Sequence, residues 1–252
     1  DCWLNLGTTL KALDKDPQCV AALTKATSDD IYCMETSFSI KALALNNLGL
    51  MAYVRGEDSL ALEYYNSALK IQPDLYDCQW NKSTCMLRQV MSGDYSKWAD
   101  AWDLYESRFK KSSCVRVHNV FGFLAEKVWN GQRDCKIVVA QEQGIGDNIM
   151  FARFIPQLEK DYNITVDFQV DESLGCLLRA NGISCPVKID VRDYDYMMPL
   201  GSICRWVSYV DSAPYIKAPE PSTNNSKLLS LSGPKELNIG LVWSGSPSHT
   251  NN

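Results

Sequence analysis

The chain has 252 residues, enough for two ordinary domains, and its 46% hydrophobic and 22% charged content is that of a globular protein in water. A net charge of -5 argues against nucleic acid as a partner, because phosphate contacts need a basic face. No apolar run nears the roughly 20 residues of a membrane span, and with no signal-peptide pattern a cytoplasmic location is expected.

The first half has helical periodicity. At its start, "CWLNLGTTL" sets Trp3, Leu6 and Gly7 in a first-helix pattern. From Leu45 to Asp74, the residues Leu48, Gly49, Ala52, Gly56, Ala61, Tyr65, Ala68 and Pro73 fall at the spacings of one helix–turn–helix unit of about 34 residues. The small residues Gly49, Ala61 and Ala68 let two helices approach, Tyr65 and Leu69 fill the seam, and Pro73 stops the second helix. The stretch resembles a tetratricopeptide (TPR) repeat. A second unit runs from Cys78 to Phe109, with "SGDY" as its turn. Its second helix carries Trp98, Ala101, Trp102 and Tyr105, an aromatic stripe that fits core packing or, alternatively, a peptide-binding groove. About three such units are needed to bury a core. This short array is therefore expected to lean on the second half, through Val117, Val120, Phe121, Phe123, Leu124 and Trp129.

From about Cys135 the period changes. "KIVVAQ", "ITVDFQV", "YDYMMPL" and "NIGLVW" read as strands. Helices are expected from Asn148, around Leu174 to Ala180 and near Ile203 to Tyr209. Alternating strands and helices predict a parallel sheet covered on both faces. The Pro-, Ser- and Asn-rich run from Ala218 to Leu237 reads as a linker. The chain opens without Met and ends on "IGLVWSGSPSHTNN", a strand and a turn, the profile expected of a fragment. The fold class expected is α plus α/β, helical hairpins followed by a Rossmann-like parallel sheet. The domains expected are 1–112 helical, 113–220 Rossmann-like, and 221–252 a linker with the first strand of an incomplete second Rossmann domain.

Ten cysteines are scattered singly, with no CxxC pair and two His in the chain, so zinc-ligand spacing is absent and no metal is expected. Buried free thiols in a reducing compartment are expected ahead of a disulfide framework. The triplets at Asn81, Asn163 and Asn224 match glycosylation sequons, which carry little meaning without a secretory signal.

The most informative stretch is "AQEQGIGDNIM". Gly144 and Gly146 permit positive φ and leave no side chain between backbone and ligand. Asp147 and Asn148 suit the N-cap of a helix running to Leu158, whose first-turn N–H groups can hold an anion or polar substrate. The spacing lacks the third glycine of a dinucleotide site, Ile149 standing there, and it lacks the GK[ST] of a P-loop. Taken alone, GxGD fits a plain N-cap Asp equally well. Glu142 and Gln143 can hydrogen-bond an acceptor or satisfy the loop backbone.

"EQGIGDNIMFARFIPQL" closely resembles the "EQGLGD-x-IQFARY-x-P-x-L" signature of bacterial TPR proteins that carry a heptosyltransferase-like glycosyltransferase region. Other segments agree in the same order. "YESRF" resembles the family's "YEWRW", and "WNGQ" precedes the first strand. "DYDYMMPLGSI" resembles D-x-x-x-PL-x-SLP, "APYIKAPE" resembles "PYL-x-A", and "IGLVWSGSPSHTNN" resembles "GLVWSGNP-x-H-x-ND". The departures are "SIC" for "SLP" at Ser202 to Cys204 and "GSP" for "GNP".

The resemblance implies a two-Rossmann (GT-B) architecture of which this chain holds the N-terminal half. It implies an inverting, metal-independent sugar transfer from a nucleotide-sugar co-substrate to a glycan or protein acceptor. By position Asp147 would be the general base. Glu142, Gln143, Gly144, Gly146 and Asn148 would line the acceptor side, and Ser244, Gly245 and Ser246 would form the donor-phosphate loop, with His249 at the family's His position. The TPR helices would offer a protein-partner surface, and no further cofactor is implied. The alternative is a non-catalytic interaction or structural protein that keeps the helices and the acceptor half without the donor half.

Overall fold

The structure, a computed structural model, describes residues 2–13, 15–28, 35–110, 127–208 and 214–217. Val117, Val120, Phe121, Phe123, Leu124, the linker, the "NIGLVW" strand, Ser244, Gly245, Ser246 and His249 lie outside them. Asp1–Tyr215 form one compact unit and Ile216–Asn252 a second, of which Ile216 and Lys217 are described.

Among the described residues, six helices come first: α1 (Cys2–Ala12), α2 (Asp16–Ala26), α3 (Glu35–Val54), α4 (Asp58–Ile71), α5 (Tyr76–Met91) and α6 (Trp98–Tyr105). They pack as the hairpins α1–α2, α3–α4 and α5–α6. Helix α3 is apolar on two sides, which makes the hairpins stack. Ala44, Leu48 and Met51 join Cys19, Leu23 and Ala26 of α2 in one core cluster. Ala42 and Ala52 join Ala61, Tyr65 and Ala68 of α4, with Cys78 and Cys85 of α5, in the next. Asn81 Nδ2 donates to Asn46 Oδ1 at 2.9 Å and ties α5 to α3.

The small residues in the seams have a steric reason. A Cβ on Gly49 would stand 2.5 Å from the Tyr65 ring, and one on Gly7 would stand 2.6 Å from Leu23 Cδ2. Tyr65 is fully buried, so its ring has little room to give. Gly49→Ala is therefore expected to destabilise by about 1–3 kcal/mol, the usual range for overpacking. Equilibrium urea unfolding checks it; an unchanged midpoint would mean that the α3–α4 seam is looser than described.

The aromatic stripe on α6 is core. Trp102 and Tyr105 are buried, and Trp102 meets the Phe151 ring edge-on with centroids 5.7 Å apart. Trp98 Nε1 donates to the Cys204 carbonyl at 2.9 Å. The helical half thus leans on the sheet half through α6 and the 3-10 turn after it, Glu106–Phe109. Trp129, the described member of the expected apolar bridge, is buried against Tyr162 and Trp206.

The second half contains β1 (Lys136–Ala140), α7 (Ile145–Ala152), α8 (Ile155–Tyr162), β2 (Thr165–Gln169), α9 (Glu172–Ala180) and β3 (Tyr196–Pro199). The strands form a parallel sheet in the order β2-β1-β3, with Val138 in register with Asp167 on one side and Met197 on the other. Ile137, Val138, Val139 and Ala140 are fully buried, as a central strand covered on both faces requires. Beneath the sheet, Asp167 accepts from Tyr194 Oη at 2.7 Å and pairs with Lys136 Nζ at 3.1 Å; Ser184 Oγ donates to it as well.

Two sequence expectations change here. The helix expected from Asn148 to Leu158 is two helices, broken at Arg153 and Phe154. Pro156 at the start of α8 has no N–H to give the Ala152 carbonyl, so one continuous helix cannot form. The helix expected near Ile203 is a buried 3-10 stretch, Leu200–Arg205. Its Gly201 N–H and Ser202 hydroxyl bond carboxylates from other elements, so the start of the turn is set from outside it. Among the described residues, no helix is long and apolar enough to cross a membrane.

The eight cysteines among the described residues are free thiols; Cys33 and Cys114 lie outside them. Burial pushes Cys78 up to about 12 and both Cys85 and Cys185 up to about 11, so their reactive thiolates are scarce at neutral pH. Cys2 and Cys176 are exposed. Mass-resolved labelling of the native protein with iodoacetamide is expected to modify Cys2 and Cys176 first among the eight described cysteines. Equal labelling of Cys78 would contradict the buried core.

Candidate functional site

The strand order puts β1 between its two successors, so the connections from β1 and β2 leave to opposite sides. Such a switch point opens a crevice beyond the carboxyl end of the central strand, where ligands bind in open α/β sheets. The glycine loop follows β1 directly and occupies that place.

Each residue of the loop has a partner that shapes it. Gln141 N–H continues the ladder to the Gln169 carbonyl at 3.0 Å. Glu142 turns away from the loop surface, with its side chain 9% exposed. Its Oε1 accepts from Arg108 Nε at 3.0 Å, and its Oε2 accepts from Arg108 Nη2 at 2.9 Å and from Gly201 N–H at 2.7 Å. Gln143 adopts a left-handed φ of 59°, and its Nε2 donates to Tyr105 Oη at 2.6 Å. Gly144 has φ -88° and ψ 170° and is the N-cap of α7.

The N-cap is therefore Gly144 rather than Asp147 or Asn148, and Asp147 sits three residues into the helix. The positive φ expected of Gly144 or Gly146 falls on Gln143 instead. The reason is the anchoring of its neighbours: Glu142 and Gln143 are both pulled toward the helical half, and the chain reverses between them and Gly144.

Asp147 is half-buried and its Oδ2 accepts from the Gly144 N–H at 3.1 Å, using one of two carboxylate oxygens. Asn148 is buried and clasps the loop: its Oδ1 accepts from Glu142 N–H at 3.3 Å and its Nδ2 donates to the Gly144 carbonyl at 3.0 Å. Gln143, Gly144, Ile145 and Gly146 are exposed. A Cβ on Gly146 would meet nothing within 4 Å. Neither φ nor packing demands glycine there, and its absence of side chain leaves the α7 N-terminus bare. The N–H groups of the first helical turn, which have no intrahelical acceptor, open onto that surface.

Behind the loop lies a polar knot that the sequence did not assign. Arg108, 4% exposed, also donates from Nη1 to Glu106 Oε1 at 2.5 Å and from Nη2 to Ser202 Oγ at 2.9 Å. Ser202 Oγ lies 2.9 Å from Glu106 Oε1 and donates to that carboxylate. Arg205 stands 3.8 Å from Glu106 and 2.8 Å from Asp103, adding a second positive charge at the rim. Burial works against the Arg108 charge, but Glu142 and Glu106 outweigh it and hold the guanidinium above its ordinary pKa. Burial likewise pushes the Tyr105 phenol up, so it meets Gln143 as a neutral acceptor. Gly201 is a required glycine: a Cβ there would lie 2.9 Å from Glu142 Oε2 and 3.3 Å from Arg108 Nη2.

"YESRF", "EQGIGD" and "PLGSI", far apart in sequence, thus meet at one junction. The signal available beforehand was that ordered set of segments; the pairing of Arg108 with Glu142 has no periodicity to betray it. A separate depression of about 380 Å³, lined by Arg179, Gly182, Ile183, Ser184, Cys185 and Pro186, shares no residue with the loop. Among the described residues, no group of three or more His, Cys, Asp or Glu could hold a metal ion. No protein-family model matches the chain, and no curated protein matches it.

Proposed function

We propose that the chain belongs to a glycosyltransferase of the heptosyltransferase-like GT-B type, with TPR-like hairpins joined to the acceptor-side Rossmann half. The observation that carries this reading is the position of Asp147. It stands in the first turn of the helix that follows the central strand, beside the bare Gly146 surface, at the switch point of the sheet. An acceptor hydroxyl held there attacks the anomeric carbon of a nucleotide sugar. The bond from that carbon to the diphosphate breaks with its electron pair, and the hydroxyl proton passes to Asp147. The first-turn N–H groups of α7 orient the polar acceptor. Ser244, Gly245 and Ser246 are assigned to the donor phosphates on the resemblance alone. The proposed compartment is the cytoplasm, where free thiols stay reduced.

The second reading is a non-catalytic interaction or structural protein. It is favoured by the internal bonds of Glu142, Gln143 and Asn148, which serve the loop itself.

The deciding experiment incubates the full-length protein with a panel of nucleoside-diphosphate sugars and a glycan and protein extract as acceptor. Release of nucleoside diphosphate with label transferred to the extract is expected for at least one donor. Donor or acceptor binding without transfer from any donor supports the second reading and overturns the first.

A further inference from the structure

The loop that carries Asp147 is held from the helical half as well as by its own domain. Arg108 grips Glu142 with two nitrogens, and Tyr105 holds Gln143. From there an unbroken path of hydrogen bonds reaches the carboxylate. Glu142 N–H bonds Asn148 Oδ1, Asn148 Nδ2 bonds the Gly144 carbonyl, and Gly144 N–H bonds Asp147 Oδ2. Gln143 sits at a left-handed φ that a non-glycine residue adopts only when its surroundings enforce it. The enforcing contacts are those of Arg108 and Tyr105 on either side of that peptide.

We propose that Arg108 and Tyr105 are positioning residues for the glycine loop: the helical half sets the orientation of Asp147 through Glu142 and Gln143. The proposal rests on Asp147 as the general base for its effect on transfer, but its structural claim stands apart from that reading. Neither residue reaches the loop surface, since both are buried, so their influence runs through the loop backbone. It follows that the helices are a working part of the site. An isolated sheet half would carry the same loop without its grip.

The test uses hydrogen exchange on the full-length protein with two gentle variants. Tyr105→Phe removes the hydroxyl that holds Gln143 and keeps the ring against Trp80 and Trp102. Arg108→Lys keeps the charge and loses the two-nitrogen grip. The expected result is exchange about 10-fold faster or more at the hydrogen-bonded amides of the loop, those of Glu142, Gly144 and Asn148, in both variants. The amides of Ile137, Val138 and Val139 and those of α3 should keep their wild-type rates. Unchanged loop exchange, or a uniform rise across the sheet and helices, overturns the proposal.

The same variants are then assayed with the nucleotide-sugar panel. A fall in kcat of about 10- to 100-fold with donor KM within about twofold is expected, because a small misplacement of the base costs rate rather than donor binding. Full kcat in a variant whose loop has loosened overturns the link from grip to base. If the wild-type protein turns over no donor, the glycosyltransferase reading fails, while the exchange result still decides whether the helices hold the loop.

Discussion

Arg108→Met is expected to lose about 3–5 kcal/mol of folding stability, the usual cost of removing one partner from a buried ion pair. Methionine fills much of the volume and still lies against Tyr105 and Phe109. It leaves Glu142 with its side chain 9% exposed and no counter-charge, and it removes a donor from both Glu106 and Ser202. Arg205, which pairs with Asp103 at 2.8 Å and stands 3.8 Å from Glu106, compensates Glu106 only in part. The loss should shrink in the double variant Arg108→Met with Glu142→Gln, because the stranded charge is then gone. Equilibrium denaturation of the three proteins checks this. A loss below about 1 kcal/mol for Arg108→Met would place the pair among solvent-screened surface bridges and remove the rigid junction between helices and loop.

Much of the fold was legible because it rests on repeating patterns. The spacing of Gly49, Ala61, Tyr65 and Ala68 marked a close-packed helical hairpin, and the structure packs Tyr65 directly onto Gly49. The runs "KIVVAQ" and "ITVDFQV" marked parallel strands, and both form them, with Ile137 to Ala140, Val166 and Phe168 buried. Local stereochemistry was less visible. The glycines suggested positive φ, yet the strain falls on Gln143, because tertiary contacts with Tyr105 and Arg108 override the local preference. The helix break at Phe154 follows from Pro156 and could have been read from it. The Arg108–Glu142 pair could not, because an ion pair spanning the helical and sheet halves leaves no trace in the spacing of either. Of the candidate site residues, Asp147 and Gly146 lie at the open surface of the α7 N-terminus, whereas Glu142 and Asn148 point inward.

The central claim is that Asp147 takes the proton of the acceptor hydroxyl, and Asp147→Asn separates that role from a structural one. The Asn side-chain carbonyl can accept the same Gly144 N–H that Asp147 Oδ2 accepts at 3.1 Å, so the start of α7 survives. The lost charge near the helix N-terminus removes about 0.3–1 kcal/mol of dipole stabilisation, which allows a small fall in melting temperature. An amide cannot take the proton, and loss of a general base typically lowers rate by about 10²–10⁴-fold. The direct measurement is kcat for sugar transfer by the full-length wild-type and Asp147→Asn proteins, with melting temperature recorded on the same samples. The account predicts a fall of about 10²–10⁴-fold in kcat beside a nearly unchanged melting temperature. A variant that melts early but turns over at the wild-type rate would contradict it and leave Asp147 as a helix-capping residue.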